Sequence, residues 1–128
     1  MSVIIKGKEA DRRIAEGLRD HFVSVYNDVE AFQTLLDNLG ANCLDRLIHR
    51  LKIEEKIDLF KDYVALKEIA AEVRAKANRE IFVEVCKVDE ARAWINDNGK
   101  YHTLTFEALY KVYRRSERLV PYLKKQKK

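Results

Sequence analysis

Apolar residues recur along most of this chain in alternating steps of four and three. From Leu59 the stripe passes through Tyr63, Leu66, Ala70, Val73 and Ala77, the spacing of the first and fourth heptad positions on one helix face. Beyond Ala77 it shifts to Ile81, Val85 and Val88, as a stutter that rotates the stripe would. Ile53, Ile57, Phe60 and Val64 form a second apolar edge, so the first half is expected to be buried on a wide face. Between Ala41 and Asn98 there is neither Gly nor Pro, and nothing in the backbone forces a stop. The pattern predicts one continuous helix from Ile53 to Val88, roughly 50 Å long at 1.5 Å per residue. Its weakest points are Asn78 and Arg79, near the stutter.

A similar stripe, Leu18, Phe22, Val25, Val29, Phe32, Leu36 and Leu39, predicts a first helix from about Lys8 to Leu39. Asn27, with Glu30 three residues on, is a candidate N-cap that would split it, but the stripe keeps its phase through Asn27 and one helix is expected. Gly40 supplies a C-terminal stop. Asn42 can cap a short helix carrying Leu44, Leu47, Ile48 and Leu51, with a bend near Lys52. Asp89 can cap another with Ala91, Trp94 and Ile95 inward, and the single tryptophan is expected to anchor it. Asn96 to Gly99 are four turn-favouring residues in succession. The last helix is expected to start after Thr103 or Thr105, acting as its cap. It should bury Phe106, Leu109, Val112, Tyr113, Leu119 and Val120, and end or kink at Pro121.

These elements make an all-α fold, a helical bundle of about five helices with two long heptad-patterned antiparallel helices. The same stripes could instead pair between two chains as a homodimer. One domain over residues 1–128 is expected, with a loose N-terminal arm at 1–8, strand-like from Val3 to Lys6, and a frayed tail at 124–128.

Composition agrees. Four Gly and one Pro leave little material for turns, and enrichment in Ala, Leu, Glu, Lys and Arg favours helix. Two cysteines, Cys43 and Cys86, lie among apolar neighbours without a CxxC partner and are expected as reduced core thiols. The apolar run Val3–Ile5 is too short for a secretory signal or a membrane span. Together these features predict a soluble, cytoplasmic protein without membrane contact.

Charge changes the picture more. The net charge is +4. Residues 81–128 hold eleven basic against six acidic side chains, while residues 1–40 hold five against seven. Lys111, Arg114, Arg115 and Arg118 share one side of the last helix, followed by Lys124, Lys125, Lys127 and Lys128, with Tyr110 beside them. A basic stripe with a neighbouring aromatic suits phosphate contacts and base stacking, and these residues are the candidate nucleic-acid-binding site. The alternative for the same residues is a solvated helix face with cations near a helix C-terminus.

Other chemistry finds little support. Asp45 and His49 at i, i+4 are expected to be a surface hydrogen bond, since two ligands do not make a metal site. Glu80 and Glu84 lack the Glu-x-x-His companion of a di-iron bundle and should face solvent or pair with Lys76 and Lys87. No histidine has an arginine at the spacing of an Arg-x4–6-His ribonuclease signature, the glycines are isolated, and no nucleophile has an elbow motif. The turn before the last helix is long for a helix-turn-helix. The sequence predicts a non-catalytic binding module without cofactor or metal, contacting nucleic acid or a nucleoprotein complex. The alternative is a protein-interaction module or inhibitor acting through an apolar helical surface.

Overall fold

The computed structural model describes residues 3–40, 42–56 and 59–125, without the side chains of Leu59, Phe60, Lys124 and Lys125. These residues are all-helical: α1 (Glu9–Tyr26), α2 (Val29–Asp37), α3 (Cys43–Glu55), α4 (Leu59–Lys76), α5 (Asn78–Cys86), α6 (Ala91–Asn96), α7 (His102–Arg114) and α8 (Val120–Lys125). A 3-10 turn, Glu117–Leu119, joins α7 to α8. The expected five helices become eight because three of them are cut by local backbone chemistry.

The first cut falls at Asp28. Its extended backbone (φ −84°, ψ 129°) lets Oδ1 accept from the N–H groups of Glu30 at 2.7 Å and Ala31 at 3.2 Å, a side-chain cap that competes with helix continuation. Asp28, not Asn27, is therefore the cap. Val25 and Val29, expected inward, are exposed.

The second cut separates α4 from α5, and the expected boundary between α3 and α4 moves. α3 does not bend near Lys52 but runs to Glu55 and ends on Lys56, which is left-handed at φ 53°. The expected apolar edge fails: Ile53 is 64 % and Val64 69 % exposed, while Ile57 and the Phe60 side chain lie outside the described residues. α4 stops at Lys76, just before Asn78, whose buried side-chain amide donates to Gln33 Oε1 at 3.1 Å and the Val29 carbonyl at 3.4 Å. That polar pair ties the break to α2.

The third cut follows Arg114, before Pro121 is reached. Ser116 caps the 3-10 turn, and Pro121 falls in the first turn of α8, where its missing N–H has no helical partner to lose.

α1 and α4, the two 18-residue helices, do not form the expected antiparallel pair. α1 packs mainly on α6, and α4 on α3 and α7. α7 is the shared element, touching α2, α3, α4 and α5. Phe22 sits among Tyr26, Phe32, Phe82, Trp94 and Tyr101, with ring centroids 5.1–5.9 Å away. Leu47, Ile48, Leu51, Leu66, Leu109 and Tyr113 are buried in the same core, and the Tyr113 hydroxyl donates to the Leu66 carbonyl at 3.1 Å.

The N-terminal arm is not loose. Lys6 N donates to the Asp89 carbonyl at 2.6 Å, Ala91 N donates to the Lys6 carbonyl at 3.0 Å, and Ile5 is buried. This isolated parallel bridge supplies the acceptor for the start of α6 that the Asp89 side chain was expected to provide. Trp94 is buried, with Nε1–H donating to the Val88 carbonyl at 3.1 Å. Neither threonine caps α7. Asp97, 7 % exposed, takes the N–H of Thr103 on Oδ1 at 3.0 Å and that of Leu104 on Oδ2 at 2.7 Å. Cys43 and Cys86 are free thiols, both pushed up in pKa by burial. Among the described residues no helix is long and apolar enough to cross a membrane.

Candidate functional site

The described part of the basic stripe is exposed but runs past the end of α7, and most of it is already engaged. Lys111 and Arg114 lie exposed on α7, Arg115 exposed just past its end, and Arg118 in the 3-10 turn. Arg114 donates through Nε at 3.0 Å and Nη2 at 2.6 Å to Glu55 Oε1 at the end of α3. Arg115 pairs with Glu84 of α5 at 3.2 Å, and Arg118 with Glu72 of α4. Each arginine thus bridges the end of α7 to a different helix. These guanidiniums are about half exposed, and such pairs contribute roughly 0.2–1 kcal/mol each. Their larger effect is to neutralise the surface: a phosphate approaching them also approaches three carboxylates.

Tyr110 corrects the stacking expectation. It is buried, its hydroxyl donates to Glu54 Oε1 at 3.0 Å, and the Arg50 guanidinium lies 4.2 Å over its ring, so neither face is offered to a base. Lys111 has no ionic partner among the described residues. The side chains of Lys124 and Lys125, and Lys127 and Lys128 entirely, lie outside the described residues.

Glu84 pairs with Lys87 at 3.4 Å, as one of its two expected placements had it, but it is buried rather than solvent-facing and its second partner is Arg115, not Lys76. Burial pushes its carboxyl pKa up, but hydrogen bonds and charge attraction from Arg115 and Lys87 outweigh this and hold it below the ordinary value. Asp45 does not bond His49. Its carboxylate takes the Tyr63 hydroxyl and Lys67 Nζ, the latter at 3.2 Å.

A concavity lies beside the stripe, between α3, α4 and α7, with a volume of about 650 Å³. Its floor is Phe106, Tyr63 and exposed Ile53. One wall is a face of α3 in which Asn42, Arg46, His49 and Arg50 follow at helical spacing. Arg46 is held with its guanidinium carbon 4.3 Å over the Phe106 ring, while Arg50 is tied to Glu54 at 2.9 Å and Glu107 at 2.5 Å. A second hollow of about 570 Å³, lined by Tyr110, Lys111, Arg114 and Leu123, continues from it through Arg50 and Glu54. Apolar surface, unspent donors and charges of both signs can recognise a ligand. Among the described residues no three His, Cys, Asp or Glu side chains are grouped to hold a metal.

Sequence reasoning missed this groove because its floor comes from α3, α4 and α7 at once. Its one local signal was the Arg46, His49, Arg50 spacing on a single helix face. No protein-family model, curated protein or solved structure matches this chain.

Proposed function

We propose that this protein is a non-catalytic binding module that engages a protein partner through the groove between α3, α4 and α7. The observation that carries this reading is the groove's make-up: an apolar floor of Phe106, Tyr63 and Ile53 beneath a rim of both charge signs. Protein interfaces combine an apolar, aromatic and arginine-rich centre with a polar rim. A nucleic-acid surface needs a net positive field, and here the stripe's arginines are matched by Glu55, Glu72 and Glu84.

Selection of short random peptides on the intact protein, with counter-selection on Ile53→Asp, tests the reading. Ile53 is exposed, so the variant keeps the fold. Enriched peptides should bind at elevated salt and lose affinity on Ile53→Asp. Enrichment of only those that bind both proteins equally would overturn it.

One observation favours a nucleic-acid contact as the second reading. Lys111 has no acidic partner among the described residues, and Lys124, Lys125, Lys127 and Lys128 follow it in the most basic part of the sequence. Binding of short single- and double-stranded DNA and RNA, weakening with salt and dropping on Lys111→Glu and on truncation at Pro121, is the expected result. No binding at low salt would exclude it.

A further inference from the structure

Resting on the groove reading, we infer that its occupant is an acidic peptide segment, in which an Asp or Glu lies beside an apolar side chain. The argument is one of charge and donor accounting within the groove. Asp45 is satisfied by Tyr63 and Lys67, Arg50 by Glu54 and Glu107, and Glu54 by Arg50 and Tyr110. Arg46 has no carboxylate partner among the described residues, and no hydrogen bond uses its guanidinium. Among the described groove residues it is the guanidinium without an ion-pair partner, while the Arg50, Glu54 and Glu107 cluster beside it carries one net negative charge.

Arg46 is also prepared for a ligand. The Phe106 ring holds the guanidinium, so less side-chain freedom is lost when its donors engage an anion. A carboxylate matches the guanidinium fork in a bidentate pair. Further donors flank it on the same helix face: His49 three residues on, and Asn42 four residues back. Asn42 precedes α3 without capping it, so its amide remains free. Apolar Ile53 and the rings of Tyr63 and Phe106 line the same groove, so a side chain next to the acid has an apolar surface to meet.

The same accounting separates a peptide from a polyanion. A nucleic-acid strand brings regularly spaced phosphates, and those beyond the one on Arg46 would meet Asp45 and Glu54 on the same wall. A peptide can place a single carboxylate on Arg46 and leave neutral or basic groups opposite the two acids.

The test uses the peptides selected on the intact protein, labelled and titrated by fluorescence anisotropy. Enriched sequences should contain Asp or Glu next to Leu, Ile, Phe or Trp. Replacing that acid by its amide should weaken binding about tenfold or more. Arg46→Glu should abolish binding of the acidic peptides and raise affinity for versions carrying Lys in place of the acid. Arg46→Lys, which keeps the charge and loses the fork, should fall between. Thermal melting checks the fold of each variant. Enriched peptides without acids, or affinities within about twofold for Arg46→Glu, would overturn the inference. If binding were still lost on Ile53→Asp, the groove reading would stand without it, and if Ile53→Asp also had no effect, both would fall.

Discussion

Asp97 holds the start of the helix on which the whole bundle converges, and its removal gives the sharpest test of the fold. The carboxylate accepts the backbone N–H groups of Thr103 and Leu104 at 3.0 and 2.7 Å while only 7 % exposed. Asp97→Ala leaves both donors without a protein acceptor in a place water reaches poorly. A bond to a charged acceptor contributes about 1.5–3 kcal/mol, and an anion at a helix N-terminus adds about 0.3–1 kcal/mol. The cost of burying the carboxylate offsets part of this. The expected net loss is about 3 kcal/mol, above the usual range of about 0.5–2 kcal/mol for a lost cap. Against a whole-domain stability of about 5–15 kcal/mol, that is a fall in melting temperature on the order of 10 °C. Urea unfolding followed by helical circular dichroism should show a lower midpoint with an unchanged slope. Asp97→Asn should sit between, since its amide keeps one acceptor oxygen and turns an NH2 toward the other donor. A loss below about 0.5 kcal/mol for Asp97→Ala, well under the range for a lost cap, would refute the view that this carboxylate holds α7 in place.

Two further expectations follow from the same structure. Glu84 titrates below its ordinary value when folded, so its contribution is present above the unfolded pKa and is lost as pH falls through the folded one. The stability gap between wild type and Glu84→Gln should therefore be constant near neutrality and shrink below about pH 4.5. Arg115→Gln should cost about 1 kcal/mol, since Arg115 is half exposed, and move that loss to higher pH. Parallel pH profiles for wild type and Glu84→Gln would contradict the assignment. At the N-terminus, Ile5→Ser should cost about 2–3 kcal/mol, since the side chain is 2 % exposed, and the Lys6 and Ala91 amides should exchange slowly with deuterium. A stable variant with fast exchange at both amides would return the arm to the loose state its sequence suggested.

Much of the disagreement between sequence and structure concerns where helices stop. Lys56 adopts a left-handed conformation that its side chain does not favour, and no propensity scale would place a terminus there. The first break was legible only one residue early, at Asn27; the cap is Asp28, whose carboxylate accepts from the N–H groups two and three residues on. The stripe does keep the core in phase, since Phe22 and Phe32 still meet edge to face at 5.9 Å, yet phase across a break says nothing about helix continuity. The candidate site divides in the same way. The side of α7 that carries Lys111 and Arg114 was legible from the 3.6-residue period. Tyr110 was misplaced because the hydroxyl of a residue at the edge of that face was recruited by Glu54, from a helix distant in sequence.

What this sequence determined by itself was the helical class and the main buried positions, such as Phe22, Phe32, Leu66, Ala70, Leu109 and Tyr113, because both depend on residues within a turn or two of one another. The flanking Val25, Val29, Ile53 and Val64 are exposed. Tertiary structure alone decided which charges remain free to act. Arg114, Arg115 and Arg118 found carboxylates on three other helices, while Arg46, unremarkable in the sequence, was left over Phe106 without one. Ion pairing is a matter of a few ångströms in space, and only the packing of α3, α4 and α5 around α7 brings residues tens of positions apart to that distance.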